Sequence, residues 1–222
     1  MKKRSAYLVL AVTVICCAVM AFVDGVLHPG YAVKSAIKIA AFLLIPLLAS
    51  QIDRDVLYLP LLKPKKKGLL IALGLGAGLY LLILGAYFLV SPWFDFSKIA
   101  GALTTNAGVT KDNFLYVSLY ISFINSFLEE FFFRGFVFTN LKAQTGRRFA
   151  YLFSSTVFSL YHVAMMVGWF SPLLFLLVMV GLTVGGILFN LLNEKLDTIY
   201  GSWLTHMFAN FAINTIGFLL LQ

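Results

Sequence analysis

Residues Ser126–Phe136, SFLEEFFFRGF, place two adjacent carboxylates and a guanidinium among five phenylalanines. The sequence on either side is apolar enough to cross a membrane. On insertion scales, a charged side chain near the bilayer centre costs roughly 2.5–3.5 kcal/mol. Glu129, Glu130 and Arg134 are therefore predicted to pair with other groups or to face a polar cavity, and their helix to lie inside a bundle.

The composition of the whole chain is that of an integral membrane protein. Of the 222 residues, 61% are hydrophobic and 12% are charged, and the mean hydropathy is +0.93. Soluble domains are about 45–50% apolar and about 25% charged. The net charge of +8 lies mostly in short connections between apolar runs, where basic residues set membrane orientation. The lipid bilayer is thus the expected partner, and no nucleic-acid partner is expected.

The apolar runs predict an all-α polytopic membrane bundle that forms one domain over residues 1–222. A membrane helix needs about 20 mainly apolar residues. About seven segments qualify, with eight as the alternative count: 6–23, 36–50, 68–92, 114–138, 149–168, 172–192 and 200–221. The first is interpreted as an uncleaved membrane helix, because it is longer than the core of a signal peptide. The second is short and follows Lys34 and Lys38, so a backward extension as an interfacial helix is expected.

Basic residues predict the orientation of the bundle. With the N-terminus inside, the inner connections hold twelve of them: Lys2, Lys3, Arg4, Arg54, Lys63, Lys65, Lys66, Lys67, Lys142, Arg147, Arg148 and Lys195. The outer connections hold four: Lys34, Lys38, Lys98 and Lys111. An excess of lysine and arginine marks the cytoplasmic side. The N-terminus is therefore predicted to be cytoplasmic and the C-terminus to lie outside.

The spacing of the charged residues in the 114–138 segment separates their roles. Glu130 and Arg134 are four residues apart with the acid first, which is the favourable order for a helical ion pair. Glu129 lies about 100° away around the helix and is left for another partner. The polar residues fall within one half of the helix circumference, which should face the bundle interior: Ser118, Ser122, Asn125, Ser126, Glu129, Glu130 and Arg134. The opposite half carries Val117, Ile121, Ile124, Leu128, Phe131 and Phe132.

Two later helices carry side chains that match this polar half. His162 follows Phe158 by four residues, and the last helix has a polar stripe at the same spacing: Ser202, His206, Asn210 and Asn214. Taken singly, a histidine in a membrane helix is more often an interhelical hydrogen bond than a catalyst. Ionisable residues on three helices together favour a shared, water-filled site with acid–base chemistry.

Three motifs, in this order, resemble those of the CAAX-processing and bacteriocin-processing (CPBP, or ABI) intramembrane proteases. EEFFFR at 129–134 resembles the family's Glu-Glu-x-x-x-Arg. FSLYH at 158–162 resembles its Phe-x-x-x-His, and HMFAN at 206–210 resembles its His-x-x-x-Asn. The resemblance covers residues 114–215, which would form a catalytic core within the membrane domain.

The resemblance implies hydrolysis of a peptide bond inside the membrane. Glu129 would be the general base that activates water, assisted by His162. His206 and Asn210 would hold and polarise the carbonyl oxygen as the oxyanion develops. The Glu130–Arg134 ion pair would brace the helix that carries Glu129 and set the electric field around Glu129.

The resemblance leaves the metal content of the site open. A catalytic zinc on Glu129, His162 and His206 is one alternative, because two histidines and a glutamate can supply such a site. The pattern His-Glu-x-x-His is absent, and the two histidines stand on different helices. A site without metal or other cofactor, in which a glutamate activates the water, is therefore preferred.

The expected substrate is a peptide or a membrane protein, and the expected location, by analogy with the family, is a bacterial inner membrane. Two other functions remain as alternatives to the protease. A proton-coupled transporter would also use glutamate and histidine relays, although no internal repeat supports a transporter fold. A non-catalytic membrane adaptor or immunity protein could use the same fold.

Overall fold

The computed structural model describes residues 2–56, 62–96, 101 and 109–221. Within these ranges the chain forms helices and no strand. The predicted all-α class is therefore confirmed. The outer lysine at position 98 lies outside the described residues.

Seven helices follow one another in the described ranges. Helix α1 is Lys2–Phe22 and ends in a π-helical turn, Val23–Leu27. Helix α2 runs through Tyr31–Ile39, the π-helical turn Ala40–Leu44 and Ile45–Ile52, and α3 is Lys66–Val90. Helix α4 is a continuous run of Phe114–Tyr120, the π-helical Ile121–Asn125, Ser126–Glu130, the π-helical Phe131–Phe138 and Thr139–Gln144. Helix α5 is Arg147–Tyr161 with the short turn Val163–Met166, α6 is Pro172–Leu196 and α7 is Ile199–Leu220.

Five helices of the described chain are long and apolar enough to cross a membrane: Arg4–Leu27, Tyr31–Ile52, Gly68–Val90, Arg147–Met166 and Pro172–Leu196. The two remaining helices, α4 and α7, carry the charged and amide side chains of the predicted site. These polar residues lower the mean hydropathy of both helices. The protein is thus an integral membrane bundle, in which α4 and α7 lie against each other.

The second helix differs from its predicted form. It begins at Tyr31 rather than at residue 36 and continues to Ile52, which makes one helix of 22 residues. The π-helical turn in its middle joins its two halves without a break. Residues that were expected to lie in an outer connection or an interfacial helix therefore belong to a candidate membrane span.

Helix α4 is the central helix of the bundle along its C-terminal half. All eight residues of Phe131–Phe138 are buried, and Phe132 stacks on Phe42 of α2 with ring centroids 4.3 Å apart. The expected apolar half of α4 is thus exposed only in the N-terminal part of the helix, where Ile124 is 49% exposed. Toward the C-terminal end, packing on every side replaces contact with lipid.

Small residues bring the helices that carry the site close together. A Cβ atom on Gly76 of α3 would lie 2.6 Å from Cδ2 of Phe208 on α7. A Cβ atom on Gly186 of α6 would lie 3.0 Å from Cα of Ser155 on α5. Glycines at these positions therefore permit the close helix packing that is common inside membranes.

A short turn joins α6 to α7 and fixes their antiparallel arrangement. Asp197 ends α6 in the left-handed conformation, with φ of 48°. The hydroxyl of Thr198 then accepts the backbone N–H of Tyr200 at 3.4 Å and caps the start of α7, which is a common way to satisfy the first donors of a helix.

Polar contacts gather several helix ends at one end of the bundle. Glu194 of α6 accepts Tyr151 Oη–H at 2.6 Å and Arg147 Nε–H at 3.0 Å. Lys65 Nζ lies 2.7 Å from Asp197 Oδ2. Exposed ion pairs of this kind contribute roughly 0–1 kcal/mol each. Their main consequence is topological, because they place the start of α5, the end of α6 and the connection before α3 on the same side.

Candidate active site

Glu129 on α4 is the centre of the site and is 2% exposed. Its Oε1 atom lies 2.5 Å from Nζ of Lys38 on α2. The same Oε1 accepts a hydrogen bond from Nδ2 of Asn125 at 3.0 Å. Lys38 Nζ also donates to Oδ1 of Asn125. One carboxylate oxygen of Glu129 is therefore held by a cation and an amide together.

The assignment of Lys38 to an outer connection was wrong. Lys38 is 3% exposed, and its ammonium lies 5.0 Å from the ring centroid of Tyr161 and 5.4 Å from that of Phe42. Charge counting treated it as a connection residue because Lys34 lies one turn before it. The predicted segment 36–50 already contained Lys38, and a lysine within a membrane segment is a candidate for function.

The second oxygen of Glu129, Oε2, faces two imidazole rings. Nε2 of His162 lies 3.9 Å from it, and Nε2 of His206 lies 3.7 Å from it. Both distances exceed that of a direct hydrogen bond. Polar groups separated by more than 3.5 Å are candidates for contact through a water molecule.

A backbone carbonyl sets the orientation of His162. Its Nδ1 atom lies 2.7 Å from the carbonyl oxygen of Phe158, one turn earlier on α5. A carbonyl oxygen only accepts, so Nδ1 carries the proton. In the neutral ring, Nε2 is then a hydrogen-bond acceptor directed at the Glu129 side of the site.

Glu130 belongs to a separate ion pair that is fully buried. Its Oε1 lies 3.2 Å from a terminal nitrogen, Nη1, of Arg134 and 2.9 Å from Nδ1 of His206. The pairing predicted from the four-residue spacing is present. His206 thus joins the two glutamates, since one ring nitrogen contacts Glu130 and the other faces Glu129.

Arg134 is enclosed by aromatic rings and one carbonyl group. It is 0% exposed, and its guanidinium carbon lies 4.2 Å from the ring centroid of Phe158 and 5.0 Å from that of Phe189. Its Nη2 donates to the carbonyl oxygen of Gly186 at 3.3 Å. A planar guanidinium suits such stacked, buried positions better than an ammonium does.

The charges of the core of the site balance when both histidines are neutral. Lys38 pairs with Glu129, and Arg134 pairs with Glu130. The negative charges of two carboxylates thus cancel the positive charges of two cations. Of these two cations, the sequence reasoning assigned only Arg134 to the site. Since unpaired buried charges are costly, this balance is what lets the cluster lie inside a membrane bundle.

Asn210 lies one turn after His206 on α7 and is directed at α4. Its Nδ2 donates to the carbonyl oxygen of Ile121 at 3.1 Å, at the start of a π-helical segment. Asn214 makes similar contacts, donating to the carbonyl oxygen of Ser118 at 3.1 Å and to Oγ of Ser122 at 3.0 Å. The amides of this stripe therefore fasten α7 to the N-terminal half of α4.

The predicted site residues are thus placed as follows. Glu129, His162 and His206 converge on one locus, and the Glu130–Arg134 pair supports it through His206. Asn210 shares the inward face of α7, but its hydrogen bond is to the α4 backbone. Sequence reasoning missed Lys38 and its contact with Glu129.

The zinc alternative would need Glu129, His162 and His206 as its ligands. Within the described ranges, no group of three or more histidine, cysteine, aspartate or glutamate side chains is placed to hold a metal ion. The ammonium of Lys38, 2.5 Å from Glu129, also occupies one face of the carboxylate that would be the acidic ligand. A dication beside it would be repelled by this fixed positive charge.

The fold and the site together define a class: an integral membrane protein with a buried acid–histidine centre assembled from several helices. Residues 111–212 match the family model described as type II CAAX prenyl endopeptidase Rce1-like, a model of the CPBP family. The matched range contains every predicted site residue but not Lys38. No curated protein and no solved structure matches the chain. The family supports an intramembrane protease.

Proposed function

We propose that the protein is an intramembrane endopeptidase in which Glu129 activates a water molecule. One observation carries this proposal. Oε2 of Glu129 and the Nε2 atoms of His162 and His206 converge at 3.7–3.9 Å, while Oε1 is held by other groups. A carboxylate with one committed and one available oxygen is suited to take a single proton from water.

The attacking water would lie between Glu129 and His162. It donates one hydrogen bond to Oε2 of Glu129 and one to Nε2 of His162, since both atoms are acceptors. Glu129 removes a proton as the water oxygen forms a bond to the scissile carbonyl carbon. The C–N bond then breaks, and Glu129 returns the proton to the departing amine, as a general base does when the reaction collapses.

The oxyanion would be held from α7. Nδ1–H of His206 faces Glu130 at 2.9 Å, so Nε2 can donate to an oxyanion only when the ring carries two protons. Asn210 uses Nδ2 for the bond to Ile121, and the second hydrogen of the same amide nitrogen is available for the oxyanion. The amide donor of Asn210, fixed in this way, costs no reorganisation during the reaction, whereas His206 donates only after its ring gains a second proton.

Asn210→Ala should lower kcat about 10²–10³-fold and change KM little, because an oxyanion donor acts in the transition state. The matched control is Asn214→Ala, one turn farther along the same stripe. Asn214→Ala should lower the melting temperature and leave kcat near the wild-type value. Steady-state kinetics on a fluorogenic peptide, normalised to folded protein, measure both. Normal kcat with a raised KM in Asn210→Ala would instead assign this residue to substrate binding.

We also propose that the site works without metal. Lys38 beside Glu129 and the arrangement of the histidines support this. The purified protein should contain no stoichiometric zinc, and its hydrolytic rate should survive prolonged dialysis against a chelator. Metal analysis by mass spectrometry, before and after dialysis, gives the content. One tightly bound zinc per chain, with activity lost on removal and restored on addition, would contradict the proposal.

The substrate we propose is a peptide or a membrane-protein segment that enters from the bilayer, in a bacterial inner membrane. The N-terminus is cytoplasmic in this proposal. Removing Lys38 from the outer connections leaves Lys34, Lys98 and Lys111 there, against twelve basic residues on the inner side. The correction strengthens the charge asymmetry on which the orientation rests. The single-domain organisation of residues 1–222, with a core at 114–215, stays a prediction.

The experiment that tests the proposed function uses purified protein in lipid vesicles. Peptides and membrane-protein segments are incubated with it in water enriched in oxygen-18. Hydrolysis places the heavy oxygen in the new carboxylate of each product, which mass spectrometry detects. A proton-coupled transporter would instead change the pH inside the vesicles without cleaving anything, and an adaptor would do neither.

A further inference from the structure

Lys38 lies outside the matched region, yet it makes the shortest described contact of the central glutamate. It reaches Glu129 from α2, 91 residues earlier in the chain, at 2.5 Å. The side chains of both residues are nearly inaccessible, at 4% and 3% exposure. A buried lysine held this close to the proposed base calls for a role in the reaction or in the fold.

The contacts of Lys38 are specific to one oxygen of the carboxylate. Its ammonium bonds Oε1 of Glu129 and Oδ1 of Asn125, and Asn125 bonds the same Oε1 through Nδ2. Both donors therefore act on Oε1, and Oε2 is the atom that faces the two histidines. The three side chains form a closed triangle of hydrogen bonds that fixes the rotation of the carboxylate plane.

Aromatic rings keep this triangle in place from the other side. The ammonium lies over the rings of Tyr161 and Phe42, within the distance at which a cation is attracted to an aromatic face. Phe42 is itself fully buried and stacks on Phe132 of α4. Lys38 thus occupies a defined position between α2, α4 and α5, as a residue that must orient another group would.

We propose that Lys38 is a positioning residue for the hydrolysis: it holds Oε1 of Glu129 so that Oε2 alone meets the attacking water. The inference rests on the proposed role of Glu129 as the base. A lone carboxylate in an apolar interior neutralises itself by taking up a proton, and a protonated carboxyl accepts no proton from water. Lys38 keeps the Glu129 carboxylate ionised and leaves Oε2 as the oxygen that reacts. Lys38 itself contacts neither the water nor the peptide.

The test compares steady-state kinetics of four variants in the whole protein: Lys38→Met, Lys38→Arg, Lys34→Met and Glu129→Gln. Lys38→Met should lower kcat about 10²-fold, the size of effect expected when a reacting group is misplaced by about 1 Å. Its KM should stay within about threefold, because Lys38 does not contact the substrate. Lys38→Arg restores the cation and should recover kcat to within about tenfold of the wild type.

Lys34→Met is the matched control. Lys34 lies one turn earlier on the same helix and has its own buried carboxylate partner, Asp24, but it is not part of the site. Its removal should leave kcat per folded molecule within about twofold of the wild type, because no described contact joins Lys34 or Asp24 to Glu129, although the stranded Asp24 should lower the melting temperature. An equal loss of kcat in both lysine variants would overturn the inference, because it would reflect the packing of α2.

The outcomes separate this inference from the proposed function. If Glu129→Gln is inactive while Lys38→Met has wild-type kcat, the positioning role is wrong and the base assignment stands. If Glu129→Gln cleaves at the wild-type rate, the base assignment is wrong and the role of Lys38 is lost with it. Lys38→Arg with raised KM and unchanged kcat would also overturn the inference, since that pattern means substrate binding.

A measurement of stability covers the case in which Lys38→Met folds poorly. Removing one member of a buried ion pair strands the other. The double variant Lys38→Met with Glu129→Gln strands no charge, so its melting temperature should exceed that of Lys38→Met alone. A double variant as unstable as the single one would overturn the inference, because the side chain of Lys38 would then serve packing independently of Glu129.

Discussion

Glu129→Gln is expected to lower kcat for peptide hydrolysis about 10⁴-fold, the upper end of what a general base contributes. Glutamine keeps the volume and can still accept a hydrogen bond from Lys38 through its amide oxygen. It cannot accept a proton from water. The loss should therefore appear in kcat per folded molecule, measured on a fluorogenic peptide, while the melting temperature records the cost of leaving Lys38 without its carboxylate.

Glu194→Gln provides the matched control for this substitution. Glu194 accepts hydrogen bonds from Arg147 and Tyr151 at the far end of α6, and its side chain is 17% exposed. The same chemical change there removes an ion pair but should leave kcat near the wild-type value. A Glu129→Gln protein with wild-type kcat would refute the assignment of the base.

Arg134→Ala is expected to lower the free energy of unfolding by about 3–5 kcal/mol, the usual cost of breaking a buried ion pair. The change leaves Glu130 with a charge in an apolar interior and empties the space between Phe158 and Phe189. It also removes the donor to Gly186. Equilibrium unfolding in detergent, followed by circular dichroism, measures the loss.

Lys142→Ala is the control for Arg134→Ala. Lys142 also pairs with a glutamate, at 3.5 Å, but its side chain is 35% exposed. Its removal should change the free energy of unfolding by about 1 kcal/mol or less. Equal stability losses in the two variants, or no loss in Arg134→Ala, would count against a structural role for the buried pair.

The parts of the site that the sequence predicted are those fixed by local spacing. The Glu130–Arg134 pair follows from a separation of four residues on one helix. The convergence of His162 and His206 on Glu129 was expected, because polar side chains on three membrane helices must share an interior. The motifs that resemble a protease family pointed to the same residues.

The parts that the sequence did not predict depend on three-dimensional packing. Lys38 was assigned to an outer connection because basic residues usually lie in the connections between membrane helices. Its partner, Glu129, lies 91 positions later in the chain, so no local feature of the sequence indicated the ion pair. His206 was assigned to the oxyanion alone, whereas its Nδ1 contacts Glu130. Two π-helical segments in α4 alter the angular positions that a regular helix would give, and they are not visible in hydrophobic periodicity.

The separation of Lys38 from Glu129 has a consequence for biogenesis. During synthesis α2 leaves the ribosome well before α4, so Lys38 reaches the bilayer while its counter-ion has not yet been translated. A lysine at membrane depth costs roughly 2.5–3.5 kcal/mol, which favours retention of α2 beside the insertion machinery until α4 arrives. A polypeptide that begins after α3 would carry Glu129 into lipid without its cation. Such a fragment should therefore assemble only when α1, α2 and α3 are co-expressed as a separate chain.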